Sequence, residues 1–322
     1  RLSLVGSEMC IRDRELTNEE KKMKAFTNRK KNIGSKALAI AFFLPFFILF
    51  TLFVLAPVVQ SVLYSFTNFD LLKRNDFVGF NNYKQLFLND EIFLLAFKNT
   101  MIFACIAGPV SYILSFIMAW VLNDMKGRTL FALAFYAPSI TSGTAMAVIW
   151  TYFFSSDSYG LINNFLLNLG LISSPILWNQ SVKLILPVCI FIQIWMGMGT
   201  GFLVFMAGLQ NANQELYEAG AIDGIKGRFA ELFYITLPQM KPQLLFGAIN
   251  TIAGSFGVFD IIASFAGFPT ANYAGHTLVA HVFDYAFVRY EMGYASAISV
   301  ILFLITFLFG KAVMFLLSSK DE

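Results

Sequence analysis

Six uncharged runs, each long enough to cross a lipid bilayer, most constrain how this chain folds. A transmembrane helix needs about 20 consecutive apolar residues. Only 13% of the 322 residues are charged, roughly half the share of about 25% found in soluble domains. The sequence therefore predicts an all-α polytopic membrane protein with six transmembrane helices. The runs are residues 37–69, 99–123, 129–156, 184–214, about 243–266, which Asp260 interrupts, and 292–310.

A further uncharged run, 158–182, predicts a short helix at the membrane interface instead of a seventh span. Its segment GLINNFLLNLGLI places leucine, isoleucine and phenylalanine on one helical face and three asparagines on the other. The asparagines are Asn163, Asn164 and Asn168. The amphipathic pattern lasts only about three turns before Pro175, which is too short to cross the membrane.

Both ends of the chain are predicted to lie in the cytoplasm. Six spans place them on one side, and that side carries 17 of the 23 Lys and Arg residues. Positive charge marks the cytoplasmic side. We expect a basic cytoplasmic tail over 1–36, a six-helix membrane domain over 37–317 and a cytoplasmic C-terminus over 318–322. Within the tail, RLSLVGSEMCIRDR (1–14) is expected to be a sequencing artefact.

The loop between the fourth and fifth spans is unusually charged for this chain. Its segment ELYEAGAIDGIKGR starts at Glu215 and combines three acids, two bases and three glycines. The pattern predicts a short helix up to Ile222, a glycine turn, and a second helix over 228–236 that Pro238 limits. The apolar residues of this hairpin need a surface that buries them. That surface is either the membrane bundle of the same chain or a separate protein.

The same loop carries a family resemblance. Glu218-Ala219-Gly220, then Asp223-Gly224, then Leu237-Pro238 resembles the EAA loop of ATP-binding-cassette (ABC) importer permeases. The segments YGLINNFLLNLGL and MGYASAISV resemble the sugar-permease branch, of the maltose and glycerol-phosphate type. Two features depart from the pattern. Gly220 stands where the family usually has a second alanine, and AGFPT stands where relatives often carry Thr-Gly-Gly-Pro.

The resemblance implies that the hairpin is a coupling helix seated in a cytoplasmic ATPase subunit. Glu218 would face a basic residue of that subunit. Asp223 is expected to cap or brace the second short helix, because a carboxylate accepts hydrogen bonds from free amides at a helix start. The predicted coupling residues are Glu218, Ala219, Gly220, Asp223, Gly224, Leu237 and Pro238.

The resemblance also implies the surroundings of the chain. It predicts a bacterial inner-membrane complex with a second permease subunit, two copies of an ATP-binding subunit and an extracytoplasmic sugar-binding protein. The substrate would be a carbohydrate, and no nucleic acid is involved. The chain has no Gly-x-x-x-x-Gly-Lys-Ser/Thr phosphate loop. ATP would therefore bind the partner ATPase, and this chain would carry no cofactor and no enzymatic activity.

Polar residues within spans three to five are the candidates for a substrate pathway. For the hydroxyls, the alternative is a hydrogen bond to a carbonyl of their own helix or to a neighbouring helix. A carboxylate within a span is a functional candidate by default, although Asp260 also fits a hydrated position near the outer interface. The predicted pathway residues are Gln193, Trp195, Asn250, Ser255 and Asp260, with Thr141, Ser142, Thr144 and Thr251 as further candidates.

A metal site is a further possibility that the sequence raises. His276, His281 and Asp284 invite a metal interpretation, but their spacing fits no zinc pattern, and we expect a hydrated outer loop that touches a binding protein.

The alternative function is a secondary transporter or channel for small polar solutes. The absence of an evident inverted repeat and the single intramembrane acid disfavour it. A membrane enzyme would need a convergent catalytic cluster, which the sequence does not show.

Overall fold

The computed structural model describes residues 40–70 and 76–318. The predicted basic tail over 1–36 and all but the first residue of the predicted C-terminus over 318–322 lie outside these ranges. The chain divides into two compact units after Gln60. The described part of the first unit is helical throughout, and the second unit holds the remaining elements.

The described residues are helices and connecting loops, with no β-strand among them. The prediction of an all-α polytopic fold is confirmed. In chain order the helices are α1 (Ile40–Tyr64), α2 (Asn81–Leu88), α3 (Glu91–Asn123), α4 (Arg128–Ile140), α5 (Gly143–Phe153), α6 (Leu161–Asn168), α7 (Ile185–Gln210), α8 (Gln214–Ile222), α9 (Arg228–Glu231, continued by a π turn Leu232–Thr236 and by Leu237–Gln239), α10 (Lys241–Phe256), α11 (Asp260–Ala266), α12 (Leu278–Val288) and α13 (Met292–Ser318).

Five helical segments within the described residues are long and apolar enough to cross a membrane. They are α1, α3, α7, α10 together with α11, and α13. The predicted third span, 129–156, instead forms two consecutive helices, because Thr141 and Ser142 adopt extended backbone angles. The first of these, α4, has 13 residues and is therefore about 20 Å long, whereas the hydrocarbon core is about 30 Å thick. Helix length alone therefore does not confirm six spans.

The predicted fifth span is also interrupted. α10 ends at Phe256 and α11 begins at Asp260, so the carboxylate stands at the first turn of a new helix and not within a continuous one. The Thr277 hydroxyl donates to the Val258 carbonyl at 3.0 Å. That bond satisfies one of the backbone groups exposed by the break, as buried backbone groups require.

α3 is the central helix of the second unit. It contributes Phe93 to one buried apolar cluster, Phe103 to a second and Ala119 to a third. The clusters that contain Phe103 and Ala119 form where α3 packs along α7. Such a helix fixes three levels of the bundle relative to one another, because buried side chains in well-packed clusters resist displacement.

The loop before α12 is held by polar side chains of α3. Asn99 donates to the His276 carbonyl at 3.0 Å. The Thr100 hydroxyl accepts from the backbone N–H of Leu278 at 2.9 Å. Asn99 and Thr100 are both buried, and a buried side-chain bond to an irregular backbone segment costs free energy when it is lost. The loop is therefore fixed on α3.

His276 and His281 are buried, so the expectation that they lie in a hydrated loop is wrong. The Asp90 carboxylate at the start of α3 contacts His281 Nε2 at 3.0 Å and accepts from the Tyr294 hydroxyl at 2.8 Å. His276 Nε2 lies 3.2 Å from His281 Nδ1. Within the described residues, no three His, Cys, Asp or Glu side chains are placed to hold a metal ion. Asp284 instead pairs with Arg289 at 2.8 Å.

Burial and charge shift the pKa values of this cluster. Burial raises the pKa of the Asp90 carboxyl, but the hydrogen bonds from His281, Phe93 and Tyr294 outweigh it and hold that pKa well below its usual range. Burial lowers the pKa of His276 to about 4, and positive charge on His281 acts in the same direction. His276 is therefore neutral at physiological pH.

The short helix predicted between the third and fourth spans is present as α6. One part of that prediction is wrong, because Asn163 does not face away with the other asparagines but is fully buried. Its amide donates to the carbonyls of Ser155, Asp157 and Ile176 at 2.9 to 3.1 Å. Its oxygen accepts from the Trp178 indole at 2.9 Å. Asn163 thus holds the loop on both sides of α6 together.

Candidate functional site

The charged loop folds into the predicted helical hairpin, formed by α8 and α9. α8 begins where the Asn213 side chain accepts from the backbone N–H of Glu215 at 3.0 Å, a typical N-cap. It ends in a left-handed turn at Gly224, whose φ is +90°. The Ile225 N–H donates to the Gly220 carbonyl and the Gly224 N–H to the Ala221 carbonyl. This pair of bonds is a Schellman motif, which fixes the direction of the chain after α8.

The two arms of the hairpin contact each other through small and apolar side chains. Gly220 is buried, and a Cβ at this position would come within 2.6 Å of Ile235 Cδ1. The Tyr217 and Thr236 hydroxyls are 2.9 Å apart. The departure from the family pattern at Gly220 therefore lets the arms approach closely.

Two local expectations for the second arm are wrong. The helix does not end at residue 236 but continues to Gln239, because a π turn over Leu232–Thr236 widens the helix just before Pro238. Such a turn accommodates a proline that would otherwise clash with the preceding carbonyls. Asp223 does not cap the second arm. It is the C-terminal cap of α8, and the residue before α9 is Gly227, which makes no side-chain capping bond.

Part of the apolar surface of the hairpin is buried by its own chain, and part is not. Leu232 and Ile235 are buried. Ile222, at the tip of α8, is 87% exposed, and the Glu218 side chain on the same helix is also exposed. Several exposed apolar side chains on one element, rimmed by polar groups, are typical of a surface that meets another protein. The other large apolar side chains of the hairpin that are exposed are those of Leu216, Phe229, Phe233 and Tyr234.

A cleft of about 520 Å³ lies between α3, α4, α7 and α10. It brings together three of the five predicted pathway residues, namely Gln193, Asn250 and Ser255. Ligand pockets usually have volumes of about 300 to 1,000 Å³, so the cleft has room for a small solute. Its other lining residues are Ser111, Tyr136, Gly197, Thr200, Gly201, Leu203, Val204, Phe246, Gly247, Thr251 and Gly254.

Three hydroxyls of the cleft, those of Ser111, Thr251 and Ser255, donate to carbonyls of their own helices, which is the alternative that the sequence left open. Ser255 donates to the Thr251 carbonyl and Thr251 to the Gly247 carbonyl, both at 2.8 Å. The side-chain amides of Gln193 and Asn250 make no hydrogen bond to another side chain or to the backbone in the described part of the chain. The Gln193 and Asn250 amides therefore each present donors and an acceptor to a ligand in the cleft.

The other two predicted pathway residues do not line this cleft. The Trp195 ring packs edge-on against Trp150, with ring centroids 5.2 Å apart. Asp260 is exposed at the first turn of α11. Their roles in a pathway stay predictions.

Sequence reasoning missed three polar lining residues, namely Ser111, Tyr136 and Thr200. Ser111 lies on α3, in the second uncharged run, which was left out of the pathway prediction. The sequence does contain a sign of a polar face on this helix, because Ser111 and Ser115 are four residues apart and therefore share a helical face. Tyr136 is one of the few side chains of α4 with a polar group, and Thr200 interrupts the apolar pattern of α7.

Comparison with known sequences relates the chain to transport proteins over most of its length. It is 32% identical to a probable ABC transporter permease protein, YesP, of Bacillus subtilis, covering 91% of this chain and 95% of that protein. It is 31% identical to the lactose transport system permease protein LacF of Rhizobium radiobacter, covering 82% and 88%. It is 30% identical to the sn-glycerol-3-phosphate transport system permease protein UgpA of Pectobacterium atrosepticum, covering 87% and 93%.

Comparison with solved structures gives the same fold. A chain of a bacterial ABC transporter involved in the import of the acidic polysaccharide alginate superposes with a TM-score of 0.74 at 22% identity. The match covers 91% of this chain and 99% of that one. A second structure holds the alginate transporter in complex with an alginate pentasaccharide-bound periplasmic protein, and it also has a TM-score of 0.74. No family model matches the chain.

Proposed function

This chain belongs to the permease proteins of ABC transporters, and we propose that it forms one half of the translocation pathway of an ATP-driven carbohydrate importer. As a permease protein it is not an enzyme. The proposed substrate class follows from its relatives, several of which are permease proteins for lactose, arabinooligosaccharides or multiple sugars.

The observation that carries the proposal is the exposed tip of the α8–α9 hairpin. Glu218 and Ile222 are exposed on a helix whose two ends are capped. The Schellman turn after that helix leaves the chain little freedom to change direction. A rigid helix with an exposed charge and an exposed apolar side chain is suited to transmit a displacement from a docked protein. In our proposal Glu218 meets a basic residue of the ATPase, and this pair fixes geometry more than it adds affinity.

The energy source of this transport lies on another chain. Because this sequence lacks a phosphate-binding loop, ATP is proposed to bind two copies of a cytoplasmic ATPase subunit. Closure of those subunits would push the hairpin and shift the helices around the cleft. A second permease completes the pathway, and an extracytoplasmic sugar-binding protein delivers the substrate.

We propose that the chain crosses the bacterial inner membrane six times, with both termini in the cytoplasm. The third crossing is formed by α4 and α5 in tandem, because their combined length exceeds about 30 Å. The irregular backbone at Thr141 and Ser142 is compatible with membrane depth, since non-helical segments are tolerated where protein or a cavity surrounds them. The membrane domain then covers 37–317.

The cleft is proposed to lie on the carbohydrate pathway. Sugar hydroxyls need paired donors and acceptors, and the amides of Gln193 and Asn250 supply both. The Tyr136 ring supplies an apolar face against which a sugar ring can pack. Ser255 keeps only its acceptor lone pairs, because its proton is bound to the Thr251 carbonyl.

Reconstitution tests this function. The chain, its second permease and the ATPase are purified together and placed in proteoliposomes with labelled oligosaccharides and the binding protein. We expect uptake that requires both ATP and the binding protein. Uptake by the permeases without the ATPase, driven by an ion gradient, would contradict the proposal and favour a secondary transporter.

A further inference from the structure

The second arm of the hairpin contacts the end of α3 through four side chains. The Arg228 guanidinium lies 2.6 Å from the Asp124 carboxylate. Its carbon atom Cζ sits over the Trp120 ring, 4.8 Å from the ring centroid, within the range of a cation–π contact. The Phe229 ring packs against the same indole with centroids 5.4 Å apart. We call these four residues the α3–α9 contact.

The charged groups of this contact are exposed, so the contact adds little to the stability of the fold. The Arg228 and Asp124 side chains are 51% and 59% exposed, and ion pairs of this kind add little to stability. Arg228 is nevertheless held on three sides, because it also donates weakly to the Trp120 carbonyl at 3.4 Å. A planar guanidinium stacked on a ring and paired with a carboxylate has a defined position. Such a contact is suited to transmit a displacement more than to stabilise the fold.

The contact joins the hairpin directly to a helix that lines the cleft. Trp120 stands nine residues after Ser111, which is about 14 Å along α3. Ser111 lines the cleft, and α3 packs beside Gly197 and Gly201 of α7 between these levels. A displacement at the end of α3 therefore reaches the cleft through one rigid element.

Resting on the proposed function, we infer that Arg228 is a positioning residue for coupled transport. It fastens the second arm of the hairpin to α3, so that a displacement of the hairpin moves a wall of the cleft. Glu218 and Ile222 receive the displacement from the ATPase, whereas Arg228 and Trp120 pass it on. Loss of the contact should separate ATP hydrolysis from transport while the ATPase stays docked.

The test measures ATP hydrolysis and uptake together in the reconstituted complex. For Arg228→Ala and for Asp124→Ala we expect normal co-purification of the ATPase and continued ATP hydrolysis. The uptake per ATP hydrolysed should fall by a factor of about five or more, and a factor of about five is the lower end of usual coupling effects. The charge swap Asp124→Arg with Arg228→Asp should recover part of the coupling. Arg228→Lys keeps the charge without the stacked plane and should be intermediate. Lys126→Ala removes another exposed charge from the loop between α3 and α4, which also holds Asp124, and this variant should behave as wild type.

Several results would overturn the inference. Wild-type uptake per ATP in both single variants would show that the contact transmits nothing. Loss of assembly in Arg228→Ala that the swap does not repair would give Arg228 a folding role instead. Failure of the proposed function has a different signature, since the wild-type complex itself would then fail to bind the ATPase or to use ATP for uptake.

Discussion

Gly220 lies directly against Ile235, so closely that a Cβ on the glycine would come within 2.6 Å of the isoleucine Cδ1. The atom it meets is the end of a flexible side chain, and Ile225 Cδ1 is next at 3.4 Å. Gly220 therefore sets the distance between the two arms of the α8–α9 hairpin.

The first prediction concerns that distance. Gly220→Ala should be tolerated, because alanine adds about 1 kcal/mol of helix stability that offsets a rotation of Ile235. Gly220→Val should not, because its branched side chain also meets Ile225. Thermal unfolding of the purified complex and uptake measure both variants. Equal behaviour of the two variants would show that the arms are not closely packed in the working protein.

The second prediction concerns the amides of the cleft. Gln193→Ala and Asn250→Ala should each raise the KM for uptake about fivefold, since a neutral hydrogen bond contributes about 1 kcal/mol. ATPase co-purification should not change.

Two variants give that prediction its contrast. Ser255→Ala should have a smaller effect on KM, because the Ser255 proton is already bound within its own helix. Asp260→Ala is expected to impair uptake if its carboxylate serves the pathway. Unchanged kinetics in Gln193→Ala and Asn250→Ala would remove the cleft from the pathway, and unchanged kinetics in Asp260→Ala would leave Asp260 as a hydrated interface residue.

The third prediction concerns orientation. A reporter fused after Lys320, beyond the described residues, should be cytoplasmic, and one inserted at Gly170 should be external. Gly170 suits insertion because it is exposed in a left-handed turn with no atom near a Cβ. Insertion at Asn163 should instead disrupt the loop around α6, because the buried amide holds it together. A cytoplasmic reporter at Gly170 would refute the six-span arrangement.

The fourth prediction concerns acid sensitivity. The pKa of His276 is lowered by burial to about 4, and by positive charge on His281 and Arg289, against the opposing effect of Asp90. The unfolded chain therefore binds a proton between pH 6.5 and 4 that the folded chain does not. Stability should fall as pH drops through this window, by at most about 1.4 kcal/mol per pH unit. Asp90, with its depressed pKa, adds a loss only below about pH 4.

Thermal unfolding of the complex between pH 7.5 and 5 measures this effect. His276→Gln should flatten the slope over that range, because the variant has no proton to take up at this position. A wild-type melting temperature that does not change with pH, or an unchanged slope in His276→Gln, would contradict the assignment.

Local chemistry made the hairpin predictable from the sequence. The helix up to Ile222 and the reversal at Gly224 follow from nearby caps and glycines, and such signals act within a few residues. The C-terminal end of the second arm was mispredicted, because a π turn before Pro238 has no comparable sequence signal.

Long-range contacts were not predictable. Asp90 meets His281 across 191 positions of sequence, so the two histidines were wrongly expected in a hydrated loop. Asn163 was placed on a polar face by periodicity, but carbonyls from the surrounding loop bury it. The break at Thr141 and Ser142 interrupts an uncharged run that composition alone describes as continuous. The cleft was predicted in part, because residue type identifies polar groups within spans but not whether their protons are already bound.

The central claim is that the α8–α9 hairpin couples this permease to an ATPase, and the affinity of the complex for that ATPase tests it most directly. Glu218→Lys should weaken binding about 30-fold or more, since losing one partner of a desolvated charge pair costs about 2 kcal/mol or more, and it should abolish ATP-dependent uptake. Gly224→Asp, which puts a side chain at a φ of +90°, should act in the same direction. Glu215→Lys, an equal charge change in the first turn of α8, should retain most of the binding. Wild-type ATPase binding and wild-type uptake in both Glu218→Lys and Gly224→Asp would contradict the account.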